Sequence, residues 1–456
     1  MNPPHPASWW STSKERTWLM AAFLFAAVSL LVVGTPWDST AALFSDTQPV
    51  PSNTLATSAA FVRVAEGSFT KSTAGAPASQ GITGVGFQPK AVIFFWTRQT
   101  AEGFAAMQST GFGFATGTAN ERAVAIAEDD AAGTSNAGSW KSATNMILML
   151  SSGTPTLAAK AELTSFNTDG FTINWTTNEA RADIIHYIAL GGDGLTNVLA
   201  STFNLATGTG NQAVTGVGFQ PDFVLFLFGG TAAGANDAAI AFAQLSLGIA
   251  QSSTSEGAVV VATRDADTAN SRKRSQQRTD ASILLLTNAA PPAQDAIADF
   301  VSMGVDGFTV NKSDAPAAST PIFYLALKGG QHLAGSFTQP TTTGSQSVTG
   351  VGFQPRSLLF LSRNMTAGTT IVAPNTLSVG AGISPTARGS VWSQANNVDP
   401  SDTNSYTTTS KVITLATSPS TVDAQADLAG FSSDGFTLTW SAADATAREV
   451  LYWALR

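Results

Sequence analysis

The stretch Thr83-Gly84-Val85-Gly86-Phe87-Gln88-Pro89 occurs three times in this chain without a change of letter. It returns at residues 215–221 and 349–355, and an apolar run with the composition of a β-strand follows each copy. The first glycines of successive copies are 132 and 134 residues apart. This spacing predicts three tandem copies of one β-domain.

A second signature closes each copy. Residues 161–173, which contain Asp-Gly-Phe-Thr between alternating apolar residues, recur at 298–310 and 426–438. Asp-Gly is typical of a tight hairpin turn, because such a turn needs positive φ. The last strand of each copy carries a tyrosine at the same place, and we expect its ring to pack and its hydroxyl to find a partner. These tyrosines are Tyr187, Tyr324 and Tyr452.

The apolar strand after each Gly-Phe-Gln-Pro, such as residues 92–95, is hydrophobic on both faces. In a two-sheet sandwich one face fills the core, and the other must be covered by a neighbouring copy or by a loop. Eight or nine short strands per copy predict an all-β fold of three tandem antiparallel β-sandwich, jelly-roll-like repeats. We place them at 62–192, 193–329 and 330–456. Short connections predict that they touch, as a rod or as a closed pseudo-threefold cluster.

Composition excludes several classes of protein. Hydrophobic residues make up 43% of the chain, which is enough for real cores and argues against disorder. The net charge of −8 argues against nucleic acid, since phosphate binding needs a positive field. The chain has no cysteine, so it has no disulfide, no Cys-ligated zinc and no thiol nucleophile.

The N-terminus has the pattern of an export signal. Lys14 and Arg16 precede an apolar run over residues 18–33, and small residues follow at 40–42. This predicts a hydrophobic N-terminal helix over residues 1–42 that acts as a secretory signal and is cleaved near Ala42. An uncleaved membrane anchor is the alternative, and residues 43–61 read as a linker.

Two family resemblances support an exported surface protein. The segment Ala42-Leu43-Phe44-Ser45-Asp46-Thr47 resembles the start of mature camelysin-like secreted matrix proteins, which implies export to the surface of a bacterial or archaeal cell. The Gly-Phe-Gln-Pro strand paired with the Asp-Gly-Phe-Thr hairpin, over residues 62–456, resembles repeats of phage and virion-associated surface proteins. Its layout is also similar to H-type lectin domains, which implies a small sandwich. No sugar-contact residue is carried over from those lectins to this sequence.

Catalytic side chains are scarce. His186 takes a slot that holds Phe323 and Leu451 in the other copies, which predicts a packed core histidine, and His332 is expected in a solvated linker. The acids at 128–130 are interpreted as solvated loop residues rather than a catalytic pair. We therefore expect no enzyme, no metal site and no cofactor.

Ligand binding is expected in the polar segments 128–141, 264–280 and 396–410, which differ between copies and are predicted to be long loops. An exposed aromatic residue there can stack on a sugar, and a basic cluster can contact an anionic glycan or wall polymer. A ring folded over its own sheet edge and a solvated run of charge are the alternatives. The candidate binding residues are Trp140, Tyr406, Arg272, Lys273, Arg274 and Arg278.

These observations favour a non-enzymatic structural or adhesive protein of the cell surface or extracellular matrix. Its expected partners are glycans, other surface proteins or further copies of itself, with membrane contact only through an uncleaved N-terminal segment. A lectin-like carbohydrate-binding protein and a virion or tail-associated structural protein are the alternatives.

Overall fold

The described part of the chain is all-β, as the sequence predicts. A computed structural model describes residues 61–231, 236–268, 272–417 and 420–456, and its strands form several antiparallel sheets. Nothing within these ranges forms an apolar helix of membrane-spanning length. The expected N-terminal helix and nearly all of the expected linker lie outside the described residues.

The strands fall into three successive groups. The first group is β1 (Arg63–Thr70), β2 (Ala78–Thr83), β3 (Pro89–Thr97), β4 (Gly103–Ala106), β5 (Gln108–Gly117), β6 (Asn120–Glu128), β7 (Ala137–Ser142), β8 (Ile147–Leu150), β9 (Leu157–Asn167), β10 (Gly170–Thr177) and β11 (Ile184–Gly191). The second is β12 (Asn197–Leu205), β13 (Gly210–Thr215), β14 (Phe223–Gly229), β15 (Ala238–Ile240), β16 (Phe242–Ser252), β17 (Ser255–Arg264), β18 (Lys273–Arg278), β19 (Ile283–Leu286), β20 (Gln294–Gly304), β21 (Gly307–Asp314) and β22 (Thr320–Lys328). The third is β23 (His332–Thr338), β24 (Gly344–Thr349), β25 (Ser357–Ser362), β26 (Asn375–Gly382), β27 (Arg388–Asn396), β28 (Asp402–Thr408), β29 (Ile413–Thr417), β30 (Thr421–Ser432), β31 (Gly435–Ala442) and β32 (Glu449–Leu455).

Each group builds one large sheet and one four-stranded sheet, which we call sheet pairs 1, 2 and 3. In pair 1 the large sheet has the order β1-β11-β3-β5-β6-β7 and the small sheet has the order β2-β10-β9-β8. The corresponding orders are β12-β22-β14-β16-β17-β18 with β13-β21-β20-β19, and β23-β32-β25-β26-β27-β28 with β24-β31-β30-β29. The same connectivity therefore occurs three times.

The two sequence signatures meet in space. Gly84 and Gly86 both have a φ of +82°, and their N–H groups donate to the two carboxylate oxygens of Asp169 at 3.0 and 2.6 Å. The hairpin aspartates Asp306 and Asp434 hold the glycines of pairs 2 and 3 at the same distances. The repeated aspartate therefore ties the β9–β10 turn to the glycine bend, and the glycines are needed because the bend has positive φ.

The repeated tyrosine sits in a cluster of four rings, as expected. Tyr187 lies 5.5 Å from Phe171, edge to face, and Phe69 and Phe94 complete the group. The same four positions are aromatic in pair 2, around Tyr324, and in pair 3, around Tyr452. Each cluster packs the large sheet onto the small one and forms the centre of a local core.

A further core is shared by all three sheet pairs. Along β3, Val92 and Phe94 face the local core of pair 1, whereas Ile93 and Phe95 face a cluster that also contains Leu225 and Leu359 and their neighbours. The apolar strand is thus covered on both faces, and its second face is covered by neighbouring copies. This explains why the strand lacks the alternation of a half-exposed strand.

The three pairs close into a ring. β6 of pair 1 packs on β12, β14 and β16 of pair 2; β17 packs on β23 and β26 of pair 3; and β27 packs on β1, β3 and β5 of pair 1. We call these contacts the first, second and third junctions. The described residues between 61 and 456 form one compact unit.

Candidate functional site

The segments expected to be recognition loops contain the edge strands of the large sheets instead. β7, β18 and β28 occupy the later parts of 128–141, 264–280 and 396–410, so the prediction of long loops is wrong for those parts, whereas 129–136 and 397–401 lie outside the strands. These strands are polar yet largely buried, because a segment from another sheet pair covers each of them. Their polar composition is typical of an exposed loop, although the residues are buried.

The covering segments come from one place in each pair, between the third strand of the group and the next long strand. We call them arms: 98–107, 236–241 and 363–374. In the first arm β4 pairs with β28, in the second β15 pairs with β7, and in the third Val372 pairs with Ser275 of β18. Each large sheet thus has one of its two edges, at β7, β18 or β28, covered by a neighbour, which removes a template for aggregation there.

Trp140 lies on β7, half-buried beneath the second arm. It is opposite Ala239 in the register, and its Nε1 donates to Asp237 Oδ1 at 3.3 Å. Lys160 forms an ion pair with the same aspartate at 3.0 Å. The side chain chosen from the sequence as a sugar platform therefore helps to dock the arm of pair 2.

Tyr406 plays the corresponding part in pair 3. Its ring lies 4.7 Å from that of Phe104 on the first arm, and Phe104 in turn meets Trp392 at 5.8 Å. The Tyr406 hydroxyl accepts from Gln425 Nε2 at 3.2 Å. The ring is folded over its own sheet edge, with the arm of pair 1 above it.

The basic cluster is divided rather than gathered on a surface. Arg272 and Lys273 are fully buried, Arg274 is half-buried, and Arg278 forms an ion pair with Asp280 at 2.7 Å. The interpretation of a solvated charge run is therefore wrong for the first two residues. Their charges are engaged inside the protein, which leaves no basic patch built from all four.

Glu128 of pair 1 is the partner of Lys273. Their Oε1 and Nζ atoms are 2.7 Å apart, both side chains are fully buried, and Ser401 of pair 3 donates to the same oxygen at 3.2 Å. Burial raises the pKa of Glu128 and lowers that of Lys273. All three pairs thus meet at one buried ion pair.

The two neighbouring acids are also structural. Asp129 accepts from the backbone N–H of Gly153 at 2.8 Å, and Asp130 accepts from the backbone N–H of Thr403 at 2.8 Å. The expectation that the acids at 128–130 are solvated is therefore wrong for Glu128, which is fully buried, whereas Asp129 is half-buried and Asp130 is exposed. The position of Glu128, without access to solvent, does not suit a catalytic carboxylate.

Of the two predictions made for histidines, one is confirmed and one is wrong. His186 is fully buried and stacks on Phe95 at 5.1 Å, as the packed-core prediction required. His332 was expected in a solvated linker, but it begins β23 and is buried against Phe223 and Trp453. Burial lowers the pKa of each histidine to about 4.

One equivalent strand position makes a chemically different contact at each of the three junctions. The strand registers make Arg122, Gly257 and Gly389 equivalent. Arg122 Nε donates to Thr202 Oγ1 at 2.8 Å, and its guanidinium lies 5.7 Å from the Phe323 ring. Within the described chain, the residues facing the two glycines differ again.

A Cβ on Gly257 would meet the Leu451 side chain at 3.0 Å. One on Gly389 would lie 2.3 Å from His186 Nδ1 and 3.3 Å from Glu66 Oε1. At the first junction the contact is a cation over an aromatic ring. At the second it is apolar, and at the third it is between polar groups. Side chains, rather than the shared backbone, distinguish the junctions.

Two shallow depressions lie in the described surface. One, of about 250 Å³, opens at the end of pair 2 and is lined by Phe228, Asn288 and Asp295 among others. The other, of about 340 Å³, lies between pairs 2 and 3 beside Gln251, and His332 forms part of its wall. Among the residues described, no group of three or more acidic or histidine side chains is placed to hold a metal ion.

The chain matches no protein-family model and no curated protein sequence. The arms are the functional feature that the sequence reading missed. A short apolar signal exists at Ala238-Ala239-Ile240 and at Phe104, but the partners of these residues lie about a hundred to three hundred positions away in the chain. In this structure the variable segments contact neighbouring sheet pairs.

Proposed function

We propose that the chain is a non-enzymatic, exported structural or adhesive protein of a cell surface or extracellular matrix. It would be built from three tandem β-sandwich units of jelly-roll type, at 62–192, 193–329 and 330–456, behind an N-terminal secretory signal. The three sheet pairs with equal strand order are the support for this triplication.

The docking of the arms supports this proposal most directly. Trp140, Tyr406 and Lys273, the side chains that a ligand would use, contact neighbouring sheet pairs instead. A protein that uses its most distinctive aromatic and charged side chains to close a ring is suited to rigidity. Rigidity without disulfides fits a structural role outside the cell, where a chain must keep its fold unaided.

The outer edges of the small sheets favour contact with other chains. β2, β13 and β24 each pair on one side, with β10, β21 and β31, and have no second partner among the described strands. An open edge of this kind can pair with another extended chain. It is the feature that connects this protein to further copies of itself or to other surface proteins.

Fractionation of the cells that produce the protein tests the proposal. We expect the protein in the medium or on the cell surface, with an N-terminus near Leu43. Recovery from the cytosol with Met1 intact would overturn export. Particles of a virus that carry the protein would favour the virion alternative.

A lectin-like role is the second candidate, and the depression in pair 2 is its support. Asn288 and Asp295 line it and offer the amide and carboxylate groups that recognise sugar hydroxyls. A glycan array with residues 43–456 is the test, with Asp295→Ala as the variant and Trp140→Ala and Tyr406→Ala as controls outside the depression. Binding that is lost in Asp295→Ala alone supports this role, and no binding to any glycan retires it.

A further inference from the structure

Lys71 is a buried lysine at the end of β1 in sheet pair 1. Its side chain is 1% exposed, and its Nζ donates to Asn178 Oδ1 at 2.6 Å and to the carbonyl oxygen of Glu179 at 2.7 Å. The Trp175 ring lies 5.4 Å from Nζ. The amine is thus held against one carboxamide, inside the protein.

The carboxamide is fixed as well. Asn178 Nδ2 donates to the carbonyl oxygens of Ser72 and Ala74 at 2.9 and 2.7 Å, which sets the orientation of the group. Since a C=O bond is about 1.23 Å long, Lys71 Nζ lies no farther than about 3.8 Å from the amide carbon. That is close to the separation of about 3–3.5 Å at which reacting atoms are poised.

A carboxyl group stands next to this pair. The backbone N–H of Lys71 donates to the carbonyl oxygen of Asp183 at 2.8 Å, so the two residues are opposite each other where β1 meets β11. Asp183 is fully buried, its Oδ1 accepts from Arg181, and its Oδ2 has no hydrogen-bond partner among the described atoms. Cross-strand residues have Cβ atoms about 4.5–5.5 Å apart, within reach for proton transfer by a long side chain or one water.

Burial prepares these groups for chemistry. Burial lowers the pKa of Lys71, although the carboxylate of Asp183 acts in the opposite direction, and burial raises the pKa of Asp183. A neutral amine is a nucleophile, and a carboxylate whose pKa is raised is a stronger base, which can take a proton from the attacking amine and pass it to the leaving group.

The arrangement is specific to pair 1. The positions equivalent to Lys71 are Leu205 in pair 2 and Gln339 in pair 3, so this place in the sandwich does not require a buried cation. A polar cluster that the fold itself does not need is a candidate for chemistry.

We propose that Lys71 and Asn178 form an intramolecular amide cross-link. The lone pair of Lys71 Nζ attacks Cγ of Asn178 and forms the new C–N bond; the Cγ–Nδ2 bond then breaks. Asp183 accepts a proton from the attacking amine and returns one to the departing nitrogen. The products are a secondary amide and one molecule of ammonia, and no oxidant or reductant takes part.

The bond would tie the large sheet of pair 1 to its small sheet. It would join positions 107 residues apart, in a chain that has no cysteine with which to form a disulfide. A closed loop of this length restricts the unfolded chain, which raises the resistance of pair 1 to heat and denaturant.

Intact-mass spectrometry of the full purified chain tests the proposal, with the N-terminus established by sequencing. We expect a mass lower than the sequence mass by one ammonia, and a protease digest in which the peptides with positions 71 and 178 stay joined. The deficit should vanish in Lys71→Met and in Asn178→Ala. In Asn178→Asp the same bond would release water instead, and Asp183→Asn should slow its formation.

Lys312→Met is the matched control. Lys312 is also buried and donates to the side-chain oxygen of Gln212 at 3.1 Å, but it has no neighbouring unpartnered carboxyl among the described residues. We expect this variant to keep the full deficit. The complete sequence mass in the unmodified chain, or a deficit that persists in Lys71→Met, would overturn the proposal. Should Lys71→Met fail to fold, as judged by circular dichroism, Lys71→Arg removes the nucleophile while keeping the charge.

Discussion

The first and third junctions place the same strands against each other and use opposite chemistry. At the first, Arg122 is hydrogen-bonded and lies over Phe323, and Glu128 pairs with Lys273. At the third, Gly389 leaves room for His186 and Glu66, and Arg388, the cation that acts on Glu66, forms its ion pair with Asp427 instead. One junction contains a buried ion pair and a cation over an aromatic ring, and the other contains buried polar groups whose neutral forms are favoured by burial.

The difference shows how a chain with three sheet pairs of equal strand order can specify which pair packs against which. With one backbone in all three pairs, any pair could dock on any other if the contacts were equal. An arginine like Arg122 would not fit where the neighbouring pair leaves room only for a glycine. A glycine in place of Arg122 would leave a cavity opposite Phe323. Side-chain differences of this kind give specificity through the cost of the wrong contact.

The largest expected effect comes from breaking the ion pair of the first junction. Lys273→Met leaves Glu128 buried without a counter-charge, which should lower the free energy of unfolding by about 3–5 kcal/mol. Urea unfolding measures the change. Arg278→Met, on the same strand, removes an exposed pair with Asp280 and should cost less than about 1 kcal/mol. Equal effects of the two variants would contradict the role of the buried pair.

The third junction should respond to pH through His186. Burial lowers the pKa of His186 from 6.5 to about 4, and the Glu102 carboxylate acts in the opposite direction. Between these values the unfolded chain binds a proton that the folded chain excludes, so stability falls as pH falls, by up to about 3 kcal/mol. His332 adds a second contribution of the same sign. His186→Phe, which copies Phe323, should remove its own share of the acid loss, and an unchanged acid limb would contradict this account.

Glu66 acts in the other direction. Burial raises its pKa from 4.5 to about 8, and Arg388 acts in the opposite direction. The folded chain keeps a proton that the unfolded chain releases, so this contribution is present below pH 4.5 and is lost as pH rises to about 8. Glu66→Gln should therefore reduce the loss of stability between pH 4.5 and about 8 by its own share, while Glu121 and Glu256, whose pKa values burial also raises to about 8, keep theirs.

A smaller effect compares two glycines. Gly389→Ala should destabilise the protein by about 2 kcal/mol, because its Cβ would overlap the His186 ring. Gly257→Ala meets the flexible tip of Leu451 and should cost less than about 1 kcal/mol. Thermal unfolding of both variants checks the difference. A larger loss of stability in Gly257→Ala than in Gly389→Ala would contradict the difference in free space between the two junctions.

The repeated signatures carried most of the fold prediction. Identical Gly-Val-Gly bends and Asp-Gly turns occur at equal spacing, and their local chemistry indicates hairpins without knowledge of distant partners. The all-β class, the hairpins and the packed tyrosines followed from it. That Asp169 holds Gly84 and Gly86 could not be seen, because 83 residues separate the carboxylate from Gly86.

The site was harder to predict for a physical reason. β7, β18 and β28 are polar strands that are buried by arms from other sheet pairs, so their composition resembles that of a solvated loop. Lys273 and Glu128 lie far apart in sequence, and each appeared as an ordinary surface charge. Ligand binding by the variable segments stays a prediction, and what they contact in this structure is the rest of the same chain.

The measurement that tests the ring most directly is urea unfolding followed by two probes at once, far-UV circular dichroism for the strands and tryptophan fluorescence for the cores. If each pair closes its neighbour's sheet, the three pairs should unfold in one transition at the same midpoint with both probes. Two or three separate transitions would show that the pairs are independent domains, and would contradict an interlocked ring.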